Sequence, residues 1–220
     1  MPQWKLIDRD PLPQGSELAL YERDGAFMIR SDGLELMTTE AVRSEEAFIG
    51  LGLECLVGAP KHVLIGGLGL GFTLAEVCRR IPDAASIVVA ELSGKVIEWV
   101  QGPAGTCNRP FLKQPNVAVR QTDLFAFLQE PGETFDLILL DIDNGPEALV
   151  HPGNTRLYGE EGFAALKSRL TDRGVAVFWS AIKSVAFEAQ LRTSFGAAQT
   201  LDYPVPQNPR IIHTFYAVSA

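Results

Sequence analysis

Residues 63–74 carry the pattern with the clearest chemical meaning, Val-Leu-Ile-Gly-Gly-Leu-Gly-Leu-Gly-Phe-Thr-Leu. It predicts a buried strand, a turn with Gly67, Gly69 and Gly71 at alternate positions, and then a helix. In a doubly wound sheet a ligand lies close to the backbone of such a turn, because any Cβ there would block it, and the helix amino terminus favours electron-rich groups. Alone the turn is weak evidence, since a tight strand–helix junction has the same composition.

An acidic residue at the right distance strengthens this interpretation. Glu91 stands 20 residues beyond Gly71, at the end of the second predicted strand. A carboxylate there can accept hydrogen bonds from both hydroxyls of a ribose, so the sequence predicts a nucleoside site. Phe72 occupies the place of the third glycine of the dinucleotide fingerprint. The spacing is instead typical of proteins that bind S-adenosylmethionine.

Thr122 and Asp123 follow the third predicted strand. Asp123 could accept a hydrogen bond from an adenine amino group, or it could cap the helix that begins at Leu124. One side chain can serve both purposes. We therefore include Thr122 and Asp123 among the candidate binding residues.

Asp141 and Asp143 follow the fourth predicted strand. Ligands of open α/β sheets lie outside the carboxyl ends of the strands, where Asp141 is expected. Two carboxylates there can hold a cationic amine or tune one another so that one accepts a proton; the alternative is an Asp-rich turn that caps the loop. Tyr158 closes the next loop, either as a substrate-facing phenol or as a core aromatic residue.

The elements that must position these residues alternate between apolar strands and amphipathic helices from Lys61 onward. The predicted strands are 62–65, 86–90, 117–120, 135–140, 175–179, 198–203 and 211–218, and the predicted helices are 41–57, 73–80, 95–100, 162–170 and 184–194. This alternation favours a parallel sheet covered on both faces, and the Pro-rich link between the last two strands favours an antiparallel edge hairpin. The predicted fold is α/β, a Rossmann-like, doubly wound, mostly parallel seven-stranded sheet.

The amino-terminal part has a different pattern. The first fifteen residues contain three prolines without periodicity and predict an irregular lead-in. Asp24-Gly25 and Asp32-Gly33 separate three short β-prone runs, which predicts a small β-meander over 16–38. We divide the chain into the lead-in and meander, 1–40, and a nucleoside-binding domain, 41–220.

Composition excludes several classes of partner. The 220 residues include 19 Lys and Arg against 27 Asp and Glu, a net charge of −8 with no basic run. Nucleic acid and anionic membranes are therefore disfavoured. We also expect no metal site, because the three histidines and three cysteines lack ligand spacing. With no secretion signal and no long apolar run, the cytoplasm is the expected location.

Several segments resemble the spermidine synthases, a family of polyamine aminopropyltransferases. They are VLIGGLGLGFTLAEV, IVVAELSGKVIE, FDLILLDIDNGP, LYGEEGFAALKSRL and the closing Tyr203-Pro-Val-Pro, within about residues 33–220. The resemblance implies a class I methyltransferase-type fold and a homodimer. It also implies that Glu91 holds the ribose, Asp123 the adenine, and that Asp141 faces the acceptor amine.

The chain also departs from the family pattern, and its loop between Asp141 and Tyr158 is several residues longer than usual. Leu70 replaces the acid that helps to bind the amine of decarboxylated S-adenosylmethionine, Met37 replaces a glutamine, and Ser44-Glu45-Glu46 stands near the place of a Tyr-His-Glu motif. An acid at position 70 would repel the carboxylate of ordinary S-adenosylmethionine, so Leu70 makes the ordinary cofactor more acceptable.

These observations predict an S-adenosylmethionine-dependent transferase that moves a methyl group to a small amine or another nucleophile. Transfer from sulfonium is an in-line displacement that needs proximity, orientation and a base, for which Asp141, with or without Asp143, would suffice. The first alternative is aminopropyl transfer from decarboxylated S-adenosylmethionine to a diamine. The second is a non-catalytic scaffold that binds a nucleoside or a protein.

Overall fold

A computed structural model of the chain describes residues 3–11, 17–40, 44–142, 144–147, 149, 152–206 and 208–220. The strands are β1 (Lys5–Pro11), β2 (Glu17–Arg23), β3 (Ala26–Ser31), β4 (Leu34–Thr38), β5 (His62–Gly66), β6 (Ser86–Glu91), β7 (Val117–Gln121), β8 (Phe135–Leu140), β9 (Leu170–Ser180), β10 (Gln199–Val205) and β11 (Asn208–Ser219). The helices are α1 (Glu45–Cys55), α2 (Phe72–Arg80), α3 (Gly94–Gln101), α4 (Arg109–Leu112), α5 (Leu124–Gln129), α6 (Glu160–Arg169) and α7 (Val185–Phe195). Short 3₁₀ helices cover Pro103–Gly105 and Pro152–Tyr158.

The main sheet has seven strands in the order β10-β11-β9-β8-β5-β6-β7. Strands β9, β8, β5, β6 and β7 are mutually parallel, and β11 pairs antiparallel with both β9 and β10. The predicted doubly wound sheet with an antiparallel edge hairpin is therefore confirmed. Because all five parallel strands end at the same edge, the residues that follow β5, β6, β7 and β8 meet there.

Side chains on β5, a strand in the interior of the main sheet, alternate between two hydrophobic clusters. Val63 and Ile65 pack with residues of α1, α2 and α3, whereas Leu64 packs with residues of α5, α6 and α7. Helices thus cover both faces, as the near-continuous apolar strands predict. The first cluster also includes Leu20 and Ile29 of the amino-terminal sheet.

The amino-terminal sheet contains four strands in the order β1-β2-β3-β4. The two predicted Asp-Gly turns are confirmed: Asp24 and Gly25 have φ of 51° and 82°, and Asp32 and Gly33 have φ of 47° and 82°. Positive φ at both central residues suits the twist of a two-residue hairpin. The prediction of an irregular lead-in is wrong over Lys5–Pro11, because this segment pairs antiparallel with β2.

The described helices also differ from the predicted ones in extent. The helix predicted over 41–57 is described as α1, Glu45–Cys55, and residues 41–43 lie outside the described residues. The short helix α4 was not predicted from the sequence.

No helix within the described ranges is long and apolar enough to cross a membrane. The division at residue 40 and the cytoplasmic location stay predictions.

Candidate active site

The glycine turn brings the ends of β5 and β8 into contact. Gly67, Gly69 and Gly71 all have positive φ, at 88°, 50° and 81°. A Cβ on Gly67 would lie 2.2 Å from the carbonyl oxygen of Asp141. Side chains are therefore excluded from the first position of the turn, both by backbone conformation and by the neighbouring chain.

Glu91 lies at the end of β6 and is 9% exposed. Its Oε2 accepts a hydrogen bond from the Leu68 N–H at 2.8 Å, and its Oε1 accepts one from the Ser93 N–H at 2.8 Å. Burial raises the pKa of the Glu91 carboxyl, while these backbone donors act in the opposite direction. Backbone N–H groups of Gly69 and Leu92 also act on this carboxylate, which is thus held in a fixed orientation beside the glycine turn.

Asp141 follows β8, and its backbone N–H donates to the Gly66 oxygen at 2.9 Å. Its Oδ2 accepts a hydrogen bond from Thr73 Oγ1 at 2.5 Å. Asp141 is half-buried and lines a cavity at the carboxyl edge of the sheet. Burial raises the pKa of the Asp141 carboxyl, and the Thr73 hydroxyl lowers it. A buried carboxylate with a raised pKa is suited to accept a proton.

Thr122 and Asp123 lie beyond β7, and the Thr122 N–H donates to the backbone carbonyl oxygen of Glu91 at 2.9 Å. Asp123 caps α5, since its Oδ1 accepts from the Ala126 N–H at 2.8 Å. Its Oδ2 faces Arg156 Nη2 at 3.4 Å. The capping alternative is therefore confirmed, and the adenine contact stays a prediction.

Asp143 and Tyr158 are the other two predicted catalytic residues. Asp143 lies outside the described residues. Tyr158 is 7% exposed, and its ring packs at centroid distances of 6.1 Å from Phe178 and 5.5 Å from Phe187. Tyr158 does not line the cavity at the carboxyl edge of the sheet. Of its two alternatives, the structure shows the core aromatic residue.

These elements enclose a cavity of about 280 Å³ at the carboxyl edge of the sheet. Gly67, Gly69, Glu91, Thr122, Asp123 and Asp141 all line it. The meander supplies a wall that includes Leu18 and Met37, and α1 supplies Glu45. The parallel strands and the meander together therefore line one site.

The charge of this cavity is one-sided. Four carboxylates line it, those of Glu45, Glu91, Asp123 and Asp141, and none of the described lining residues is a lysine or an arginine. Arg156, which contacts Asp123, is not among the lining residues. Cationic ligands are favoured in such a cavity, and anionic groups are disfavoured.

An aromatic corner that the sequence reasoning did not identify completes the cavity. Trp179 at the end of β9 donates from Nε1 to Ser44 Oγ at 3.1 Å, and its ring centroid lies 4.7 Å from that of His213. Within the described residues, His213 Nδ1 is buried without a hydrogen-bond partner, and burial lowers the pKa of this histidine. Trp179 was detectable as the last aromatic residue of a predicted strand, whereas no local pattern marks His213.

Among the described residues, no three His, Cys, Asp or Glu side chains form a group that could hold a metal ion, and the absence of a metal site stays a prediction.

Comparison with known proteins gives the family. Residues 43–200 match the spermine/spermidine synthase domain. A polyamine aminopropyltransferase of Synechococcus sp. (strain JA-2-3B'a(2-13)) is 31% identical over 121 residues, which are 53% of this chain and 36% of that protein. The Saccharolobus solfataricus polyamine aminopropyltransferase is 28% identical over 133 residues, 60% of this chain and 43% of that protein. The chain thus aligns with less than half of the length of either relative.

Solved structures show the same fold. A spermidine synthase in complex with the transition state analogue AdoDATO superposes with a TM-score of 0.79 at 19% identity, over 97% of this chain and 73% of that one. The spermidine synthase from Thermotoga maritima has a TM-score of 0.75 at 19% identity, over 97% and 72% of the two chains. With a family match over most of its length and this fold, the chain belongs to the spermine/spermidine synthase family.

Proposed function

We propose that this chain transfers the aminopropyl group of decarboxylated S-adenosylmethionine to a small amine. The observation that carries the proposal is the charge of the cavity, with four carboxylates and neither lysine nor arginine among its described lining residues. Decarboxylated S-adenosylmethionine has a sulfonium and an ammonium, and both are attracted by this cavity. The names of the relatives, polyamine aminopropyltransferases, support the same activity.

This proposal replaces methyl transfer as the favoured reaction. The argument for methyl transfer rested on Leu70, which removes one carboxylate from the family pattern. Leu70 does line the cavity, but the four carboxylates nearby remain, and none of the described lining side chains carries a permanent positive charge to pair with the α-carboxylate of ordinary S-adenosylmethionine. The net negative charge of the cavity therefore favours decarboxylated S-adenosylmethionine, which has no carboxylate, over ordinary S-adenosylmethionine.

The residues of the site have distinct roles in this reaction. Glu91 accepts hydrogen bonds from the ribose hydroxyls, the glycine turn provides close contact with backbone, and Asp123 and Thr122 lie at the adenine end. The acceptor nitrogen attacks the methylene carbon by which the aminopropyl group is bound to sulfur. A C–N bond forms while this C–S bond breaks, and the electron pair of the C–S bond passes to sulfur. The products are the alkylated amine and 5′-methylthioadenosine.

Asp141 is the proposed proton acceptor. An amine that enters the cavity as an ammonium has no free lone pair, so a proton must leave its nitrogen for the attack on carbon to occur. The carboxylate of Asp141 receives this proton. Because burial raises the pKa of Asp141, its proton affinity is closer to that of the amine. Alignment of donor and acceptor in the enclosed cavity supplies the rest of the rate enhancement.

Turnover with matched donors tests the proposal. The purified chain is incubated with decarboxylated or ordinary S-adenosylmethionine and a panel of mono- and diamines, and the products are identified by mass spectrometry. We expect 5′-methylthioadenosine and an aminopropylated amine from the decarboxylated donor, and loss of turnover in Asp141→Asn. S-Adenosylhomocysteine and a methylated amine would establish methyl transfer instead. Tight binding of 5′-methylthioadenosine without turnover of either donor would favour the non-catalytic scaffold.

The predicted homodimer is part of the proposal and has its own test. Light scattering coupled to size-exclusion chromatography should give twice the chain mass of 24.0 kDa. A mass that stays at one chain over the working concentration range would contradict it.

A further inference from the structure

The first strand, β1, runs along helix α3 and is held there by side-chain contacts. Ser93 Oγ donates to Asp10 Oδ2 at 2.6 Å, and Trp99 Nε1 donates to Asp8 Oδ2 at 2.9 Å. Lys95 Nζ lies 3.4 Å from the same Asp8 oxygen. As the strand advances from Asp8 to Asp10, its contacts move back from Trp99 to Ser93, so strand and helix run in opposite directions.

Ser93 connects this strand to the nucleoside end of the cavity. It is 6% exposed, and its backbone N–H is one of the backbone donors that hold Glu91. As the cap of α3, its Oγ also accepts from the Val96 N–H at 3.1 Å. A serine hydroxyl has one proton to donate, and here that proton goes to Asp10. Asp10 therefore sets the direction of the hydroxyl and leaves its lone pairs for the helix.

Strand β1 also supports one wall of the cavity, because it pairs with β2. Asp10 pairs opposite Leu18 in β2, and Leu18 lines the cavity. At the far edge of the meander, Met37 lies over the glycine turn, so that a Cβ on Gly69 would be 2.7 Å from Met37 Sδ. The cavity is thus enclosed between the meander and the parallel sheet, and the Asp10–Ser93 hydrogen bond joins these two sides.

We infer that Asp10 is a positioning residue for nucleoside binding, which acts through Ser93 on the carboxylate of Glu91 and on the meander wall. The inference rests on the proposed role of Glu91 as the ribose ligand. Loss of the Asp10 acceptor leaves the buried Ser93 hydroxyl without its partner, and the hydroxyl then competes for other acceptors. The Ser93 N–H then holds the Glu91 carboxylate less firmly, although the backbone donors of Leu68, Gly69 and Leu92 remain.

Three variants of neighbouring residues on β1 separate this role from simple anchoring of the strand. Asp10→Ala removes the acceptor, whereas Asp10→Asn keeps an acceptor oxygen without the charge. Arg9→Ala is the matched control, because Arg9 points away and pairs with Glu17 at 2.7 Å on the exposed side. Each variant is compared in hydrogen exchange of the amides of Ser93 and Val96 in the free protein, in calorimetric affinity for 5′-methylthioadenosine, and in donor KM and kcat.

We expect Asp10→Ala to accelerate exchange at both amides and to weaken 5′-methylthioadenosine binding by about five- to tenfold, the effect of one hydrogen bond. Donor KM rises by a similar factor with kcat unchanged, and Asp10→Asn restores most of the affinity. The inference is overturned if Asp10→Ala behaves like Arg9→Ala in exchange, or if exchange accelerates while affinity stays at the wild-type value. Should the wild-type chain bind no adenosyl sulfur compound, the proposed function fails, and exchange alone then decides whether Asp10 holds Ser93.

Discussion

Thr73 donates a hydrogen bond to Asp141, with 2.5 Å between Oγ1 and Oδ2. Thr73 is the second residue of α2 and is 3% exposed, so the contact links the helix after the glycine turn to the end of β8. Burial raises the pKa of Asp141, and this hydroxyl is the group that lowers it. A side chain of the helix that follows the glycine turn therefore partly offsets the effect of burial on the pKa of the proposed base.

Removing this hydroxyl should impair activity most strongly at acidic pH. Thr73→Val keeps the shape of the side chain but withdraws the donor, so the pKa of Asp141 rises further and less of it is ionised. Since only the carboxylate accepts a proton, kcat at about pH 6 should fall about tenfold, with a smaller loss at alkaline pH. The pH profile of kcat measures this effect. Thr73→Ser keeps the hydroxyl and should retain the wild-type profile, and an unchanged profile in Thr73→Val would contradict the link.

The turn should tolerate no side chain at Gly67. Gly67→Ala combines a positive φ with a Cβ 2.2 Å from the Asp141 carbonyl oxygen, whereas Gly25 has nearly the same φ, 82°, and nothing within 4 Å of an added Cβ. Conformational strain alone costs about 1 kcal/mol, which is the loss expected for Gly25→Ala. We expect Gly67→Ala to lower the free energy of unfolding by about 3 kcal/mol or more in urea titrations. Equal losses in the two variants would show that the turn can yield.

The sequence predicted the parts of the site that local patterns encode. The glycine turn and Glu91 follow from the order of strand, turn and helix, and the position of Asp141 follows from the rule that ligands lie at the carboxyl edge of the sheet. In contrast, β1 was missed. Its segment contains Pro11 and three charged residues besides Lys5, and it becomes a strand through pairing with β2 and contacts with Ser93 and Trp99, which are remote in sequence.

Side-chain direction was also beyond local patterns. Tyr158 follows a loop near the site, so its residue type is compatible with either a substrate contact or a core position. Only the arrangement of Phe178 and Phe187 around its ring decides between them. His213 reaches the cavity because β11 returns antiparallel beside β9, a pairing that places it beside Trp179. Such contacts depend on topology rather than on periodicity.

Glu45 should determine affinity for the amine rather than for the donor. It lines the cavity at the start of α1, near the aromatic corner that Ser44 supports. Glu45→Gln removes one negative charge from the cavity, so KM for the amine should rise about five- to tenfold while donor KM changes less than about twofold. Glu46→Gln is the matched control, since Glu46 is exposed and does not line the cavity. Parallel changes in both KM values would place Glu45 at the donor instead.

The opposite end of β8 carries a carboxylate whose role we expect to be stability alone. Asp136 Oδ2 accepts from the Lys61 N–H at 2.8 Å and from the His62 N–H at 3.0 Å, and Oδ1 accepts from Thr171 Oγ1 at 3.1 Å. Partial burial raises the pKa of Asp136, but these donors outweigh it, so the pKa lies below its ordinary value. The ionised carboxylate therefore ties the beginnings of β5 and β9 to β8 more strongly than the protonated carboxyl does.

This stabilisation has a defined pH window. A carboxyl whose pKa is lower in the folded protein contributes stability above the unfolded pKa, about 3.9, and the contribution is lost as pH falls through the folded value. At about pH 7, Asp136→Asn should reduce the free energy of unfolding by about 1–2 kcal/mol, because the amide cannot replace a charged acceptor on all three donors. The deficit should narrow as pH falls below about 4, and turnover per folded molecule should stay unchanged. Urea titrations at both pH values measure this, with the exposed Asp172→Asn as the control. A deficit that is equally large in acid would mean that the carboxylate charge contributes nothing and that Asp136 acts through shape alone.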